Sequence, residues 1–311
     1  MKSTQLYQDN ASSLVIQTLE RIEGAYAPAT IRAFKADFNT FIIYCIEHQT
    51  NPLPANPSVV RHYIDHLSNC TFTSAYIRRI IVSISSVHKL NRFEDPTKDC
   101  DVQLAIRKMH RKLGRSSKQV TGITRKILEK MVDATENDLR GIRDRALLLV
   151  AYDTLCRRSE LVDLLADDIR RESTEKAEGV RLSIKLRKSK TDQNSLGRWL
   201  HLTDQASGAL EQWLDASGIQ LGPIFRGINR GNEIAVKLGN GQIARIYKRI
   251  AGKANLDCDT IKNISGHSMR VGAAQDLLRE GASLPFIMNR GRWSKTDTVM
   301  RYVEQMALPT S

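Results

Sequence analysis

Apolar residues recur at steps of three and four along the first third of the chain, which is the spacing of one face of an α-helix. Prolines and small polar residues that can cap a first turn mark where such helices begin. The sequence therefore predicts helices that open at Pro28, that begin near Ser58 as a candidate N-cap, and that span Thr73–Leu90 and Val102–Leu113. Together they predict a helical bundle over residues 1–115.

A small, polar and basic stretch, Gly114–Gln119, follows this bundle and is typical of a linker between domains. We therefore expect a linker over residues 116–123 and a second domain over residues 124–311. The basic residues of the linker fit either a segment that follows a phosphate backbone or a solvated hinge.

The pattern beyond the linker combines helices with a hairpin. Val180–Leu186 alternates enough to predict a β-strand, and Arg198–Leu202 is its expected partner across a long polar tip. Gly281 lies where a helix C-cap is expected. Helices are predicted to begin at Thr124 and near Pro285 and to span Asp138–Thr154, Asp204–Ala216, Asn240–Lys253 and Ser268–Glu280. The predicted fold class is mainly α, with a helical N-terminal domain and a C-terminal α+β domain that holds a small β-sheet.

The charge balance suggests a partner. The chain has 47 Lys and Arg residues against 34 Asp and Glu, which gives a net charge of +13. An excess of this size favours a polyanionic partner, most often nucleic acid, although a merely basic protein is the simpler alternative.

Cysteine usage and hydropathy indicate the compartment. The five cysteines are scattered and form no C-x-x-C pair, so neither a zinc ribbon nor a disulfide framework is indicated. Reduced thiols in a cytosolic protein are the simplest interpretation. No apolar run reaches the roughly 18–20 residues of a membrane span, and the first residues lack the apolar core of a signal peptide. We therefore expect a cytoplasmic protein.

Several common catalytic motifs are missing from the sequence. There is no G-x-x-x-x-G-K-[ST] phosphate loop and no G-x-S-x-G elbow, which argues against an ATP motor and an α/β-hydrolase. His62 and His66 have the spacing of a two-histidine metal site, but the residues between them do not match the metalloprotease pattern. We interpret them as two histidines on a polar helix face and expect no metal.

The segment Ser265–Ala274 carries more information. His267 and Arg270 lie three residues apart in the first turn of a predicted helix, so both side chains are on one face. A helix N-terminus offers free N–H groups and a positive dipole end to a phosphate, and an arginine fork adds to that site. Small residues from Gly272 onwards would let this helix pack closely against a neighbour. On its own, H-x-x-R is also compatible with a surface arginine beside a structural histidine.

Four further segments complete a pattern in which each residue alone is ordinary. They contain Arg157-Arg158, Lys188-Ser189-Lys190-Thr191, Gly291-Arg292-Trp293 and Met300-Arg301-Tyr302. In this order, and with His267-x-x-Arg270, they resemble the active-site set of the tyrosine site-specific recombinases, the phage integrase family, and within it the Cre-type enzymes. The resemblance is strong from Gly141 to Val303 and looser over residues 1–115, which would form a SAM-like, core-binding DNA-binding domain.

The resemblance implies DNA strand transfer with no metal, nucleotide or other cofactor. Tyr302 would attack a scissile phosphate and form a 3′-phosphotyrosyl bond, releasing a 5′-hydroxyl. The other catalytic residues would bind the phosphate oxygens (Arg157, Arg270), protonate the leaving oxygen (Lys190), assist proton transfer or hold the phosphate (His267), donate an indole N–H (Trp293) and orient a cation or histidine of the site (Glu160). A homotetramer on a DNA site with inverted half-sites would exchange strands through a Holliday junction.

The residues leave several choices open. The family pattern places the catalytic arginine at Arg157 and not at Arg158, and it favours Lys190 over Lys188. The same tyrosine chemistry would also serve a type IB topoisomerase or a telomere resolvase. A DNA-binding relative that has lost catalysis is the alternative from another class.

The resemblance also implies which helices contact DNA. Helices of the N-terminal domain are expected to enter the major groove, and the helix that begins near Asn240 is expected to read a second part of the same half-site. An arginine at a base edge specifies sequence, whereas a lysine or arginine at a phosphate only positions the protein. The candidate DNA-binding residues are Arg32, Lys35, Arg78, Arg79, Arg107, Lys108, Arg111, Gln242, Arg245, Lys248 and Arg249.

Overall fold

A computed structural model of the chain describes residues 2–115, 120–173, 180–187 and 197–303. The chain divides into two compact units, residues 1–118 and residues 119–311. Most of the described chain is helical, and its strands form one small antiparallel sheet, so the predicted fold class is confirmed. Within the described ranges, every helix falls short of the length or the apolar character that crossing a membrane requires.

The first unit is a helical bundle. Its helices are α1 (Lys2–Arg21), α2 (Pro28–Glu47), α3 (Pro57–Asn69), α4 (Ser74–Leu90) and α5 (Cys100–Leu113), with a 3₁₀ turn at Pro96–Lys98. The bundle core is built from the periodic apolar positions, and Phe38, Phe41 and Ile77 are fully buried in it. The sequence analysis missed α1, whose first half is mostly polar. Among the side chains that the structure describes, Ala11, Val15 and Leu19 of this helix are buried.

Side-chain caps decide where these helices begin. Thr73, the predicted first residue of α4, is its cap, because its hydroxyl accepts a hydrogen bond from the Tyr76 N–H at 3.3 Å. The prediction that Ser58 caps α3 is wrong. The cap is Asn56, whose Oδ1 accepts from the Ser58 N–H at 2.9 Å, and Pro57 occupies the first helical position, where its missing N–H costs nothing.

The second unit combines one sheet with a larger set of helices. Its helices are α6 (Arg125–Asp133), α7 (Leu139–Thr154), α8 (Arg158–Val162), α9 (Asp204–Ser217), α10 (Asn240–Lys253), α11 (Cys258–Asn263), α12 (Ser268–Arg279), α13 (Leu284–Gly291) and α14 (Thr296–Val303). Its strands are β1 (Ile169–Ser173), β2 (Val180–Leu186) and β3 (Arg198–His201), which pair in the order β1-β2-β3. The predicted hairpin of β2 and β3 is confirmed, with Ser183 opposite His201. Strand β1 was missed because its residues are mostly charged.

Helix α7 lies at the centre of the second unit and packs against α9 and α12. Close packing of α12 through Gly272 is confirmed, since a Cβ there would lie 1.9 Å from the Ile123 carbonyl oxygen. The Ile123 N–H donates to the Ser268 carbonyl at 2.8 Å, and Ile123 is fully buried. The described end of the predicted linker is thus packed on the second unit. Gly281 has a φ of +82° just after α12, as a C-terminal cap requires.

Candidate active site

Four segments of the second unit supply the candidate catalytic residues. Arg157 is the N-cap residue of α8, and His267 is the N-cap residue of α12, three positions before Arg270. Trp293 follows α13, and Tyr302 lies on α14. Glu160 lies in α8. Lys190 and its alternative Lys188 lie outside the described residues.

Arg157 is held by a carboxylate from the first turn of the helix it precedes. Its Nη1 donates to Glu160 Oε1 at 2.6 Å, and its backbone N–H donates to Glu160 Oε2 at 2.9 Å. The neighbouring Arg158 is exposed, and its side-chain carbons lie over Gly266. Arg157 therefore faces the cluster of candidate residues, whereas Arg158 lies beside it.

Arg270 is almost completely buried, with 2% of its surface exposed. Its Nη1 donates to the Leu155 carbonyl at 2.5 Å, its Nη2 donates to the Gly291 carbonyl, and its Cζ lies 4.2 Å from the centre of the Trp293 ring. Burial and the charges of two nearby arginines, first Arg157, lower the pKa of Arg270 to about 10. The group remains cationic at neutral pH and is fixed in place by its three contacts.

Two helix ends create the acceptors that hold this arginine. Helix α7 ends in Leu155 with a φ of 48°, and α13 ends in Arg292 with a φ of 57°, so both helices close in a left-handed residue. The last carbonyls of a helix have no partner within it, and they carry the negative end of its dipole. Guanidinium groups satisfy these carbonyls and gain from that negative potential.

Tyr302 lies against Trp293, which itself depends on a glycine. The two rings meet edge to face, with centroids 5.7 Å apart and an interplanar angle of 62°. A Cβ on Gly291 would lie 1.8 Å from the Trp293 ring, so only glycine leaves room for it. The Gln275 side-chain amide donates to the Tyr302 carbonyl at 2.9 Å and ties α14 to α12.

His267 lies at the start of α12, where part of its surface is open to solvent and its imidazole is partly desolvated. Desolvation of its imidazole and the positive charges of Arg270, Arg158 and Arg157 lower its pKa below the usual range. The imidazole is therefore neutral at neutral pH and can accept a proton or a hydrogen bond.

The cluster also contains a buried arginine that the sequence analysis did not select. Arg292 donates to Glu160 Oε2 at 3.0 Å, so this carboxylate pairs with two guanidinium groups, those of Arg157 and Arg292, and it also interacts electrostatically with Arg270. Burial alone would raise the pKa of Glu160, but the charge of Arg292 and the hydrogen bonds from Arg157 outweigh that effect and lower it. The excess of positive charge suits a phosphate. Nothing in the sequence distinguishes Arg292 from Arg290 two positions earlier.

The candidate DNA-binding residues of the first unit are mainly exposed. Arg79 differs from the others because its guanidinium pairs with Asp37 at 2.7 Å and lies over the Tyr76 ring, 5.2 Å from its centre. Asp37 is buried and also accepts from the Ser83 hydroxyl at 2.8 Å. About half of the Arg79 side chain, 53%, still faces solvent. The exposed residues without this anchoring are Arg32, Lys35, Arg78, Arg107, Lys108 and Arg111.

The candidates on α10 divide by their contacts within the protein. Gln242 caps its own helix by accepting from the Gly239 N–H at 2.9 Å. Arg249 pairs with the buried Asp144, and the Lys248 ammonium donates to the Lys262 carbonyl at 2.8 Å. Arg245 is exposed on the same helix.

Sequence comparison with known proteins matches this chain to integrases and recombinases. The model of the phage integrase family matches residues 121–307. The chain is 30% identical over 308 residues to an integrase/recombinase xerD homolog of Selenomonas ruminantium, which covers 96% of this chain and 87% of that protein. It is 24% identical over 298 residues to the recombinase cre of Escherichia phage P1, which covers 91% of this chain and 85% of that protein.

Solved structures with the same fold include recombinases on DNA. XerH site-specific recombinase bound to difH substrate in a pre-cleavage complex matches with a TM-score of 0.66 and 15% identity, over 94% of this chain and 81% of that one. A lambda integrase dimer bound to a COC′ core site matches with a TM-score of 0.62 and 12% identity, over 95% of each chain. At these identities the likeness extends to the fold.

Proposed function

The chain belongs to the phage integrase family of tyrosine recombinases, and on that premise we propose that it cuts and rejoins duplex DNA at a specific target site through a covalent bond between Tyr302 and a 3′ phosphate. The observation that carries the proposal is the cluster of Arg157, Glu160 and Arg270, buried or half-buried around the ring contact of Trp293 and Tyr302.

The proposed reaction exchanges one phosphodiester for another. The Tyr302 oxygen attacks the scissile phosphorus and gives up its proton, the bond from phosphorus to the 5′ oxygen breaks, and that oxygen takes a proton to leave as a 5′-hydroxyl. A second 5′-hydroxyl then attacks the phosphotyrosine, and the tyrosine oxygen regains its proton. Each step breaks one phosphate ester and forms another, so no external energy source is required.

The residues of the cluster have separate roles in this reaction. A neutral phenol is a weak nucleophile, and positive charge that stabilises the transition state lowers its barrier. Arg157 and Arg270 bind the non-bridging oxygens as negative charge builds on them. His267, neutral at neutral pH, accepts a proton or holds the phosphate. Lys190 protonates the leaving 5′ oxygen, and the Trp293 indole donates a further hydrogen bond.

The assembly completes the proposal. Structural relatives bind DNA substrates, and a net charge of +13 suits the same polyanion. We propose that residues 1–115 and the catalytic domain 124–311, joined by a linker at 116–123, contact one half-site together. A homotetramer would then bring two sites with inverted half-sites together and exchange strands through a Holliday junction in the cytoplasm.

The test uses covalent capture from random DNA. The protein is incubated with a library of random duplexes, denatured, and separated from free DNA, and the captured strands are sequenced. We expect a defined site with two inverted half-sites. Absence of any adduct, or adducts with random sequence, would overturn the proposal of site-specific cleavage.

A two-site linear substrate then separates recombination from simple relaxation. A recombinase exchanges the flanks of two selected sites and yields products of new length. A topoisomerase or telomere-resolvase-like enzyme makes the adduct without exchanging flanks, and that result would favour the alternative chemistry.

The anchored arginine of α4 gives a prediction about base recognition. Arg79 is held by Asp37 and still presents half of its side chain to solvent, as a base-reading arginine requires. We expect Arg79→Ala to relax preference at one base pair of the selected site by about 1–3 kcal/mol. Site selection with the variant measures it, and an unchanged preference at every position would contradict it.

Lys248→Ala is the matched control for this prediction, because we propose that Lys248 contacts phosphate. The variant should weaken binding to all sequences alike and flatten the dependence of log K on log salt by about one unit. Titrations at several salt concentrations separate the two behaviours.

A further inference from the structure

Arg292 is an unusual residue for its position. It is buried, with 8% of its surface exposed, and its φ of 57° lies in the left-handed region that favours glycine. A buried charge and a left-handed backbone are both unfavourable, so its contacts have to offset both. By contrast, Arg290 is partly exposed and donates to the Asp153 carbonyl at 3.3 Å.

The side chain of Arg292 joins the end of α7 to α8. Its Nη1 donates to the Thr154 carbonyl at 3.1 Å, and its Nη2 donates to the Leu155 carbonyl at 3.1 Å. The same Nη2 donates to Glu160 Oε2 at 3.0 Å. The Leu155 carbonyl also accepts a hydrogen bond from Arg270. The Arg292 guanidinium therefore fixes the Glu160 carboxylate relative to a carbonyl that holds Arg270.

The backbone turn at the end of α13, formed by Gly291 and Arg292, contacts both arginines that we propose to bind phosphate. The Arg292 carbonyl accepts from Nη2 of Arg157 at 3.3 Å, and the Gly291 carbonyl accepts from Nη2 of Arg270. The next residue, Trp293, lies against the Arg270 guanidinium. The spacing of the two arginines therefore depends on the geometry of this one turn.

We propose that Arg292 is a positioning residue that sets the spacing and orientation of Arg157 and Arg270 for the scissile phosphate, an inference that rests on the proposed function. The four hydrogens of its Nη atoms are matched by four oxygen acceptors, which are the Thr154, Arg290 and Leu155 carbonyls and Glu160, so it acts through these groups and not through contact with DNA. Each Nη of Arg270, by contrast, donates to one carbonyl of the described residues and keeps a second N–H for the phosphate. It also keeps Glu160 ionised, because its charge opposes the effect of burial on the pKa of that carboxyl.

Two substitutions test the role of the side chain. Arg292→Gly removes the guanidinium and suits the left-handed backbone, and Arg292→Lys keeps the charge but cannot bridge the carbonyls and the carboxylate together. At saturating DNA we expect Arg292→Gly to slow adduct formation about 10–100-fold, the scale of a misplaced catalytic group, with Arg292→Lys between it and the unaltered protein. DNA affinity, measured in the Tyr302→Phe background, should stay within about threefold, because ground-state binding is not the target.

Arg290→Ala is the matched control, since it removes the same charge from the same helix outside the cluster. It should cleave at the rate of the unaltered protein. Equal slowing by Arg290→Ala and Arg292→Gly would assign the effect to net charge and overturn the proposal. If Arg292→Gly does not fold, as judged by circular dichroism and melting temperature, Arg292→Lys carries the comparison, and a rate equal to that of the unaltered protein would overturn it.

A modified substrate distinguishes positioning from a general structural defect. Replacing one non-bridging oxygen of the scissile phosphate by methyl removes the negative charge that the two arginines stabilise. The penalty of Arg292→Gly should therefore shrink to less than about tenfold on the methylphosphonate substrate. An equal penalty on both substrates would mean that Arg292 supports the fold of the site in general, and would overturn the specific role.

A measurement without DNA separates this inference from the proposed function. Side-chain Nε–H signals of Arg157 and Arg270 report their order in the free protein by nuclear magnetic resonance. We expect both signals to be lost to exchange in Arg292→Gly and retained in Arg290→Ala. Unchanged signals would overturn the inference even if the protein cleaves DNA, and lost signals would support it even if no DNA site is found.

Discussion

Tyr302→Phe is expected to bind the selected site with unchanged affinity and to form no covalent adduct. The substitution removes the oxygen that we propose becomes bonded to phosphorus, and it leaves the ring that packs edge to face on Trp293. Loss of the nucleophile removes the covalent route entirely, so we expect at least about a 10³-fold drop in adduct formation. A denaturing gel with labelled DNA measures the adduct, and a mobility-shift titration measures the affinity.

Tyr26→Phe is the matched control, because it removes a phenol from an exposed tyrosine of the first unit. It should give as much adduct as the unaltered protein. Adduct formed by Tyr302→Phe would show that another residue is the nucleophile.

Most of the helices that build the two cores could be predicted from the sequence. The face of α4 repeats through Ile77, Ile80 and Ile84, all fully or nearly fully buried, because a helix that packs on one side needs that period. The cap of α3 was not accessible in the same way, because Ser58 and Asn56 both have side chains that can cap. Pro57 decides between them, since its ring favours the first helical position.

The residues of the candidate site could be predicted from the sequence, but the hydrogen bonds that connect them could not. The order of Arg157, His267-x-x-Arg270 and Tyr302 along the chain led to the family, which the comparisons confirmed. Their roles in this chain stay predictions. The role of Arg292 depends on the ends of α7 and α13 meeting in space, and no local pattern reports where two distant helix ends meet.

The candidate DNA-binding residues illustrate the same limit of sequence-based prediction. Arg79 and Arg249 look alike in the sequence as basic residues on helix faces. In the structure both pair with buried carboxylates, Asp37 and Asp144. A basic residue can therefore anchor its own domain, read a base, or do both, and the distinction depends on which acids the tertiary fold brings to it.

Lys190→Ala is expected to slow cleavage of an ordinary phosphodiester by roughly 10²–10⁴-fold, the range typical of a general acid. The residue belongs to the connection between β2 and β3. Arg198, the first residue of β3, donates to Asn289 of α13 at 2.8 Å, three residues before Arg292. A 5′-bridging phosphorothioate leaves readily without a proton. It should therefore restore most of the lost rate in Lys190→Ala, whereas it should restore little in Tyr302→Phe.

Lys188→Ala is the control that settles which lysine of the connection donates the proton, since it removes the same charge two residues away. It should cleave both substrates like the unaltered protein. Single-turnover cleavage of the oxygen and sulfur substrates by the two variants measures the contrast. If Lys190→Ala is slowed equally on both substrates, its role lies outside leaving-group protonation, and rescue of Lys188→Ala by sulfur would move the general acid to Lys188.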